Sequence, residues 1–536
     1  MNKIFAIMVT FVLLLTSCAG PQAVDMSSPS SGGAKESEAL QQGSEIPVTP
    51  ATNDKQVTLK IWGWINGEVL SQIQTYNENK AVQYAEEKLG IKVEYQHPVV
   101  GQEAEQMALM IASRDLPDII EDFNYKDGND SAISDGIIQD LTEFIPQNAP
   151  DYWKAINANE TVFRQAQTDE GKLHAVYCIQ PEPEDNWNGL ALRKDILEEL
   201  QLEPPETIEE WETVLIAFKD YGITAPLSFK LDWRFYDFGA FATAFDAMPQ
   251  WYQYEEEGKM KVGYGPAEDN FKQFVELFRG WYAKGLIDKD VFSRDDKSKD
   301  AMILNGEIGA FVNGYGPVNN YMDNAKNNGD DKFDLVPVKD PSLNKGENVQ
   351  AAWRKDWYVK GQPTCITTAC ENPEEALCWL NFGFTEEGAR TYNYGIEGLT
   401  YEMVNGKPEF TEFVMQNPEG LSFVNLRDAY KRHLAAYLRD WKAFPANDLD
   451  FKCMGEWSKA KNDKAMPPFT RNVEEGRIFG QYDADLRAYR DEMLIKFITG
   501  ELGMDQYETY QETLWELHLK DLIDANQSAL DRYYAR

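Results

Sequence analysis

Apolar and polar positions alternate from Val57, through Leu59 and Ile61, and the alternation stops at Trp62-Gly63-Trp64. A period of two residues predicts a strand with one buried face. Apolar or small residues then recur at Leu70, Ile73, Ala81, Tyr84, Ala85 and Leu89, which predicts a helix that Gly90 closes as a left-handed C-cap. Ile91, Val93 and Tyr95 resume the alternation. The stretch therefore reads as a β-α-β unit with parallel neighbouring strands. Ligands of open parallel sheets bind beyond the carboxyl ends of strands, and two Trp residues around a Gly occupy that position here.

Further along, Pro117 forces its predecessor extended, and Ile119-Ile120 begins a short buried strand with Glu121 and Asp122 at its carboxyl end. Thr207 and Glu210 form a capping box, followed by Trp211, Val214, Leu215 and Phe218 at helical spacing and by Gly222 near the stop. Asn372-Pro373 opens another helix whose buried face is Ala376, Trp379 and Leu380. Strands over 308–312 and 333–336 alternate with helices such as 269–284, which predicts parallel α/β sheets. Residues 482–534 read as mainly helical.

The amino terminus has a different pattern. Lys3 precedes an apolar run, 4–15, that is too short for a permanent membrane span and ends Leu15-Thr16-Ser17-Cys18. This resembles a bacterial lipobox, which implies a signal segment over 1–18 and a lipidated Cys18. Two acyl chains on one residue suffice for stable anchoring. Residues 19–55 are rich in Ser, Gly, Pro, Gln and Glu and poor in bulky apolar side chains, as expected of a disordered tether. The folded body is then 56–536, long enough for more than one core.

The formal charge of −37 over 536 residues argues against nucleic acid as a partner, and against a strongly anionic ligand unless basic residues are concentrated locally. Besides Cys18 there are five cysteines (Cys178, Cys365, Cys370, Cys378, Cys453) with no CxxC or zinc spacing, read mainly as buried free thiols. The four histidines (His97, His174, His433, His518) are scattered. Asp127-Gly128-Asn129-Asp130 has the composition of a calcium loop without its ligand register or terminal Glu. No nucleophile elbow, HExxH or phosphate loop is present, so no catalytic residue, metal or cofactor is assigned.

What the sequence does carry is aromatic residues beside small polar ones in loop-like stretches. A pyranose presents an apolar face to an indole or phenol ring and a hydroxyl edge to polar side chains, and a rigid aromatic supplies that contact at low entropic cost. On this ground Trp62, Trp64, Trp187, Trp233, Tyr315 and Trp357 are the candidate stacking platforms, with Glu121, Asn313 and Glu397 as polar partners. They are expected to converge from the ends of two sheets on one hydroxylated ligand.

An ordered set of phrases gives an independent resemblance. Residues 113–120 (SRDLPDII), 135–145 (DGIIQDLTEFI) and 171–177 (GKLHAVY) open the series. Residues 192–197 (LRKDIL), 205–211 (PETIEEW) and 281–288 (WYAKGLID) continue it, and 381–388 (NFGFTEEG), 394–398 (YGIEG) and 496–500 (KFITG) close it. Together they resemble the bacterial extracellular solute-binding proteins, in the lipoprotein branch that serves ABC-type carbohydrate importers. Tyr177 stands where such proteins often show Pro. The resemblance implies an α/β, two-lobe, periplasmic-binding-protein-like (type II) fold with interleaved lobes and a hinged interlobe cleft. It also implies a monomer, held by its lipid at the extracellular face of the cell membrane, that delivers a carbohydrate to an ABC permease. An exported glycosidase or lyase, and a sugar-binding protein that signals through a receptor, remain beside this reading.

Overall fold

Burial on one face builds the strands and caps build the helices in a computed structural model that describes residues 57–65, 69–126, 128–183, 186–229, 236–352, 357–415, 429–430, 436–437 and 448–536. Among these residues the strands are β1 (Thr58–Trp62), β2 (Lys92–Gln96), β3 (Ile119–Ile120), β4 (Val176–Ile179), β5 (Asn188–Arg193), β6 (Ala225–Ser228), β7 (Trp251–Glu256), β8 (Lys259–Tyr264), β9 (Ile308–Gly314), β10 (Leu335–Val338), β11 (Val359–Ile366), β12 (Tyr401–Val404) and β13 (Lys407–Phe410). Cys18, the signal segment and the tether lie outside the described residues, as do Trp233 and Asp127.

The first lobe is built on a five-stranded sheet of order β2-β1-β3-β11-β4. β1 runs parallel to β2, with Leu59 opposite Val93, and parallel to β3. β11 returns antiparallel to both β3 and β4. The opening β-α-β unit is present, and Gly90 closes its helix at φ +68°. That helix is shorter than the periodicity suggested, spanning Lys80–Leu89. Leu70 and Ile73 belong to a short turn before it. Thr75 caps Asn77, and the Asn79 side chain accepts from the Ala81 and Val82 amides, so two side-chain caps fix the helix start later.

The second lobe is built on a four-stranded sheet of order β10-β5-β9-β6. The expectation of parallel sheets is corrected here. Only β6 and β9 are parallel, while β5 is antiparallel to both β9 and β10. The chain returns to the first lobe between β10 and β11. Tyr437 still pairs with Ile179 there, whereas the helix Asp448–Trp457 packs on β5 and β10. Its Trp457 is fully buried and donates Nε1–H to the Leu190 carbonyl at 2.9 Å.

The local signals behave as their chemistry requires. The Thr207–Glu210 capping box is complete and buries Trp211, Val214, Leu215 and Phe218 in the second lobe. Pro373 occupies the first turn of the helix Pro373–Asn381, which buries Ala376, Trp379 and Leu380 in the first. The helices Val473–Thr499, Tyr507–Glu516 and Leu519–Ala535 complete the second lobe against β8 and the helix Asp269–Ala283. The last of them also reaches the first lobe. Arg532 there bridges the buried carboxylates of Asp169 and Glu475. All five cysteines after Cys18 are free thiols. No helix among the described residues is long and apolar enough to cross a membrane.

Candidate functional site

At the carboxyl ends of β1 and β3 the chain turns sharply, and the turn is held by polar contacts. Glu121 is 6% exposed and accepts a hydrogen bond from the Tyr95 hydroxyl at 3.1 Å. Gly63 lies against it so closely that a Cβ there would stand 2.3 Å from Glu121 Oε2. His97 Nδ1 lies 2.6 Å from the Gly63 carbonyl oxygen, and the Tyr76 amide donates to His97 Nε2 at 3.1 Å. An imidazole that accepts at Nε2 carries its proton at Nδ1, so neutral His97 donates to Gly63. Asp122 adopts φ +52°, a left-handed conformation that Asp tolerates better than most residues, and accepts the Trp64 indole N–H at 2.5 Å. Trp64, 43% exposed, is thereby fixed at its polar edge while its ring faces outward. Trp62 differs from the expectation. It is 6% exposed and packs in the first lobe's core, because it ends the strand before the turn begins, so it supports the turn and offers no platform.

The second lobe has a comparable corner, where the start of β5 meets the end of β9 and Asn188 pairs with Gly314. Trp187 is 41% exposed, its carbonyl accepts the Tyr315 amide at 3.1 Å, and its ring edge covers Gly314. Tyr315 is partly buried at the start of the helix Tyr315–Asn327. Asn313 bonds inward, donating to the Tyr321 hydroxyl at 2.9 Å and accepting from the Gly314 amide at 2.9 Å, and so fixes the corner. The structure thus gathers Trp187, Asn313 and Tyr315 in one place and Trp64 and Glu121 in another. Glu397 is exposed in the loop before β12 and joins neither group.

Trp357 belongs to a third feature. It lines a cavity of about 370 Å³ together with Gln250, Trp251, Phe469, Arg471 and Asn526. These come from the crossing before β11, from β7, from residues 465–471 and from the last helix. A larger cavity, about 490 Å³, lies beside β10 and has no aromatic lining. Several of its charges pair among themselves or with near neighbours, as in Lys339–Glu206 at 2.9 Å and Lys459–Glu456 at 2.6 Å. No group of three or more metal-ligating side chains is present among the described residues.

Sequence reasoning missed Tyr95, His97, Asp122, Trp251, Arg471 and Asn526. Only Asp122 carried a signal, as the neighbour of Glu121 at a strand end. The others become significant through partners distant in sequence.

Two α/β sheets of mixed direction, joined by repeated crossings of the chain and each with a polar-aromatic corner at its strand ends, define a two-lobe solute-binding-protein fold. The sequence model of the bacterial extracellular solute-binding protein family matches residues 68–390, and the chain belongs to that family. It is 25% identical over 337 residues to the fructooligosaccharide ABC transporter substrate-binding protein FusA of Streptococcus pneumoniae serotype 4, covering 60% of each chain. It is 22% identical over 321 residues to lipoprotein LipO of Bacillus subtilis (strain 168), covering 56% of this chain and 59% of LipO. The matched stretch thus spans about 60% of these curated relatives' own length. Among solved structures, the alginate-binding protein AlgQ2 without calcium ion superposes with a TM-score of 0.71 at 23% identity, over 89% of this chain and 99% of that one.

Proposed function

We propose that this protein is a lipid-anchored extracellular solute-binding protein. It captures a carbohydrate, an oligosaccharide, between its two lobes and delivers it to an ABC permease without altering it. Cys18 carries the lipid, residues 19–55 hold the body off the membrane, and the protein works as a monomer. The observation that carries the reading is the pair of half-exposed indoles, Trp64 and Trp187, each seated at a strand-end corner of a different lobe. A ring fixed by its own backbone or polar edge has little freedom left to lose when a sugar face covers it. The names of FusA, an ABC transporter protein for fructooligosaccharide, and LipO, a lipoprotein, point the same way. A ligand touching both corners would favour the closed arrangement of the lobes through contacts that the open one lacks.

The test is a melting-shift screen across neutral and acidic oligosaccharides, followed by titration of Trp64→Ala and Trp187→Ala with the best ligand. A ligand well above its dissociation constant raises the melting temperature. Removing either anchor is expected to weaken binding by about 2 kcal/mol, roughly thirtyfold, with little change in unliganded stability because both rings are half exposed. Binding that survives both substitutions intact would remove these two residues from the site.

A further inference from the structure

The cavity beside Trp357 contains an arginine that forms no ion pair among the described residues. Elsewhere in the protein Arg193, Arg294, Arg490 and Arg532 each meet a carboxylate. Arg471 instead gives Nε and Nη2 to the amide oxygen of Asn526, at 3.3 and 2.9 Å, and lies 3.5 Å over the Phe479 ring. Asp483 and Glu475 act on it only through space, and burial pushes its pKa down to about 10. It therefore remains charged at neutral pH, inside a chain of formal charge −37.

Asn526 is fully buried, and its Nδ2 has no hydrogen-bond partner among the described residues. With its oxygen taken by Arg471, this amide is left with donors only. A buried donor without a partner and a guanidinium without a counter-ion both cost stability. Both line one cavity, whose other walls include Trp251, Trp357 and Phe469. Its volume, about 370 Å³, falls in the range of small-molecule sites. The Arg471 guanidinium and the Asn526 amide are donors in one cavity lining, a set that suits an acceptor of negative charge, and aromatic walls suit a ring attached to it.

We propose that this cavity is a subsite for an acidic sugar, in which the carboxylate of a uronic acid residue takes the charge of Arg471 and the ring packs among the aromatic walls. The proposal deepens the carbohydrate reading above and rests on it. It also bears on the objection that the net charge raises, because Arg471 places one positive charge, bonded to an amide and not to a carboxylate, in the cavity wall.

The test compares oligogalacturonates with their methyl esters, which keep the ring and remove the charge, by calorimetric titration of the full chain. The acid is expected to bind more tightly than the ester by about tenfold or more, a preference that rising salt weakens. Arg471→Gln should bring the ratio of acid to ester affinity close to one. Asn526→Asp, which supplies a carboxylate to the guanidinium from within, should do the same, and it serves if the first variant fails to fold. Equal binding of acid and ester, or a preference that survives Arg471→Gln, overturns the proposal. If neutral oligosaccharides bind and uronates do not, the subsite falls while the carbohydrate reading stands. If no saccharide of either kind binds, the carbohydrate reading itself fails.

Discussion

Replacing Gly63 by Ala tests how tightly the first-lobe corner is built. The added methyl would stand 2.3 Å from Glu121 Oε2 and 3.2 Å from its carboxyl carbon. Ordinary contact lies near ~3.5–4.0 Å, so the carboxylate must withdraw by roughly 1 Å or the turn must open. Glu121 is buried, and its bond from Tyr95 is already 3.1 Å long, so withdrawal breaks that bond. Overpacking of this kind costs ~1–3 kcal/mol, and the lost bond to a charged group adds to it. We expect Gly63→Ala to lower the unfolding free energy by about 2–3 kcal/mol in urea titration. Ligand affinity should fall about tenfold or more as Trp64 and Glu121 shift. The decisive measurement is a double-mutant cycle with Glu121→Ala. That substitution removes the clashing atoms, so the two costs should not add, and the coupling should reach about 1–2 kcal/mol. Additivity within ~0.5 kcal/mol would show that the methyl strains something other than Glu121, and the account of this corner would be wrong.

Three further outcomes follow from the same geometry. His174 is fully buried beside the Tyr177 hydroxyl, and burial lowers its pKa to about 4. The unfolded chain, near pKa ~6.5, takes up a proton that the folded one refuses, so stability is unaffected above about pH 6.5 and falls by about 3 kcal/mol between there and pH 4. Urea unfolding of His174→Gln across that window should lose this part of the slope. Arg532→Met removes the ion partner of buried Glu475, at 2.6 Å, and leaves buried Asp169, now 3.1 Å from Arg532, with Arg536 at 3.3 Å; it should cost ~3 kcal/mol in thermal or urea unfolding. Thr207→Ala removes the capping box that starts the helix Ile208–Tyr221 and should cost about 1 kcal/mol, readable as a drop in the urea midpoint.

How much of the site was legible depended on where the signal resides. Trp64 and Glu121 could be placed just past strand ends because a strand end is a local event, marked by the break in alternation and by Pro117. Trp62 was chosen by the same rule and is buried, since only the observed end of β1 decides which of two indoles precedes the turn. Asn313 was placed correctly at the end of β9, but its hydrogen bonds face Tyr321 and Gly314, and composition does not show which way an amide points. Trp357 was chosen as a stacking platform without its cavity. The partners there lie on β7, in residues 465–471 and on the last helix, and none carries a local mark.

The sequence by itself determined the helix starts at Thr207 and Pro373, the stop at Gly90, the β-α-β opening and the membership of the family. Each rests on side chains within a few residues of one another, where sterics and capping act regardless of the rest of the chain. The tertiary structure alone decided that β5 enters its sheet antiparallel, that Arg532 joins Asp169 to Glu475, and that Arg471 meets an amide instead of a carboxylate. Those contacts close loops of tens to hundreds of residues, and their energy depends on which distant groups share a low-dielectric interior, a quantity that no local pattern encodes.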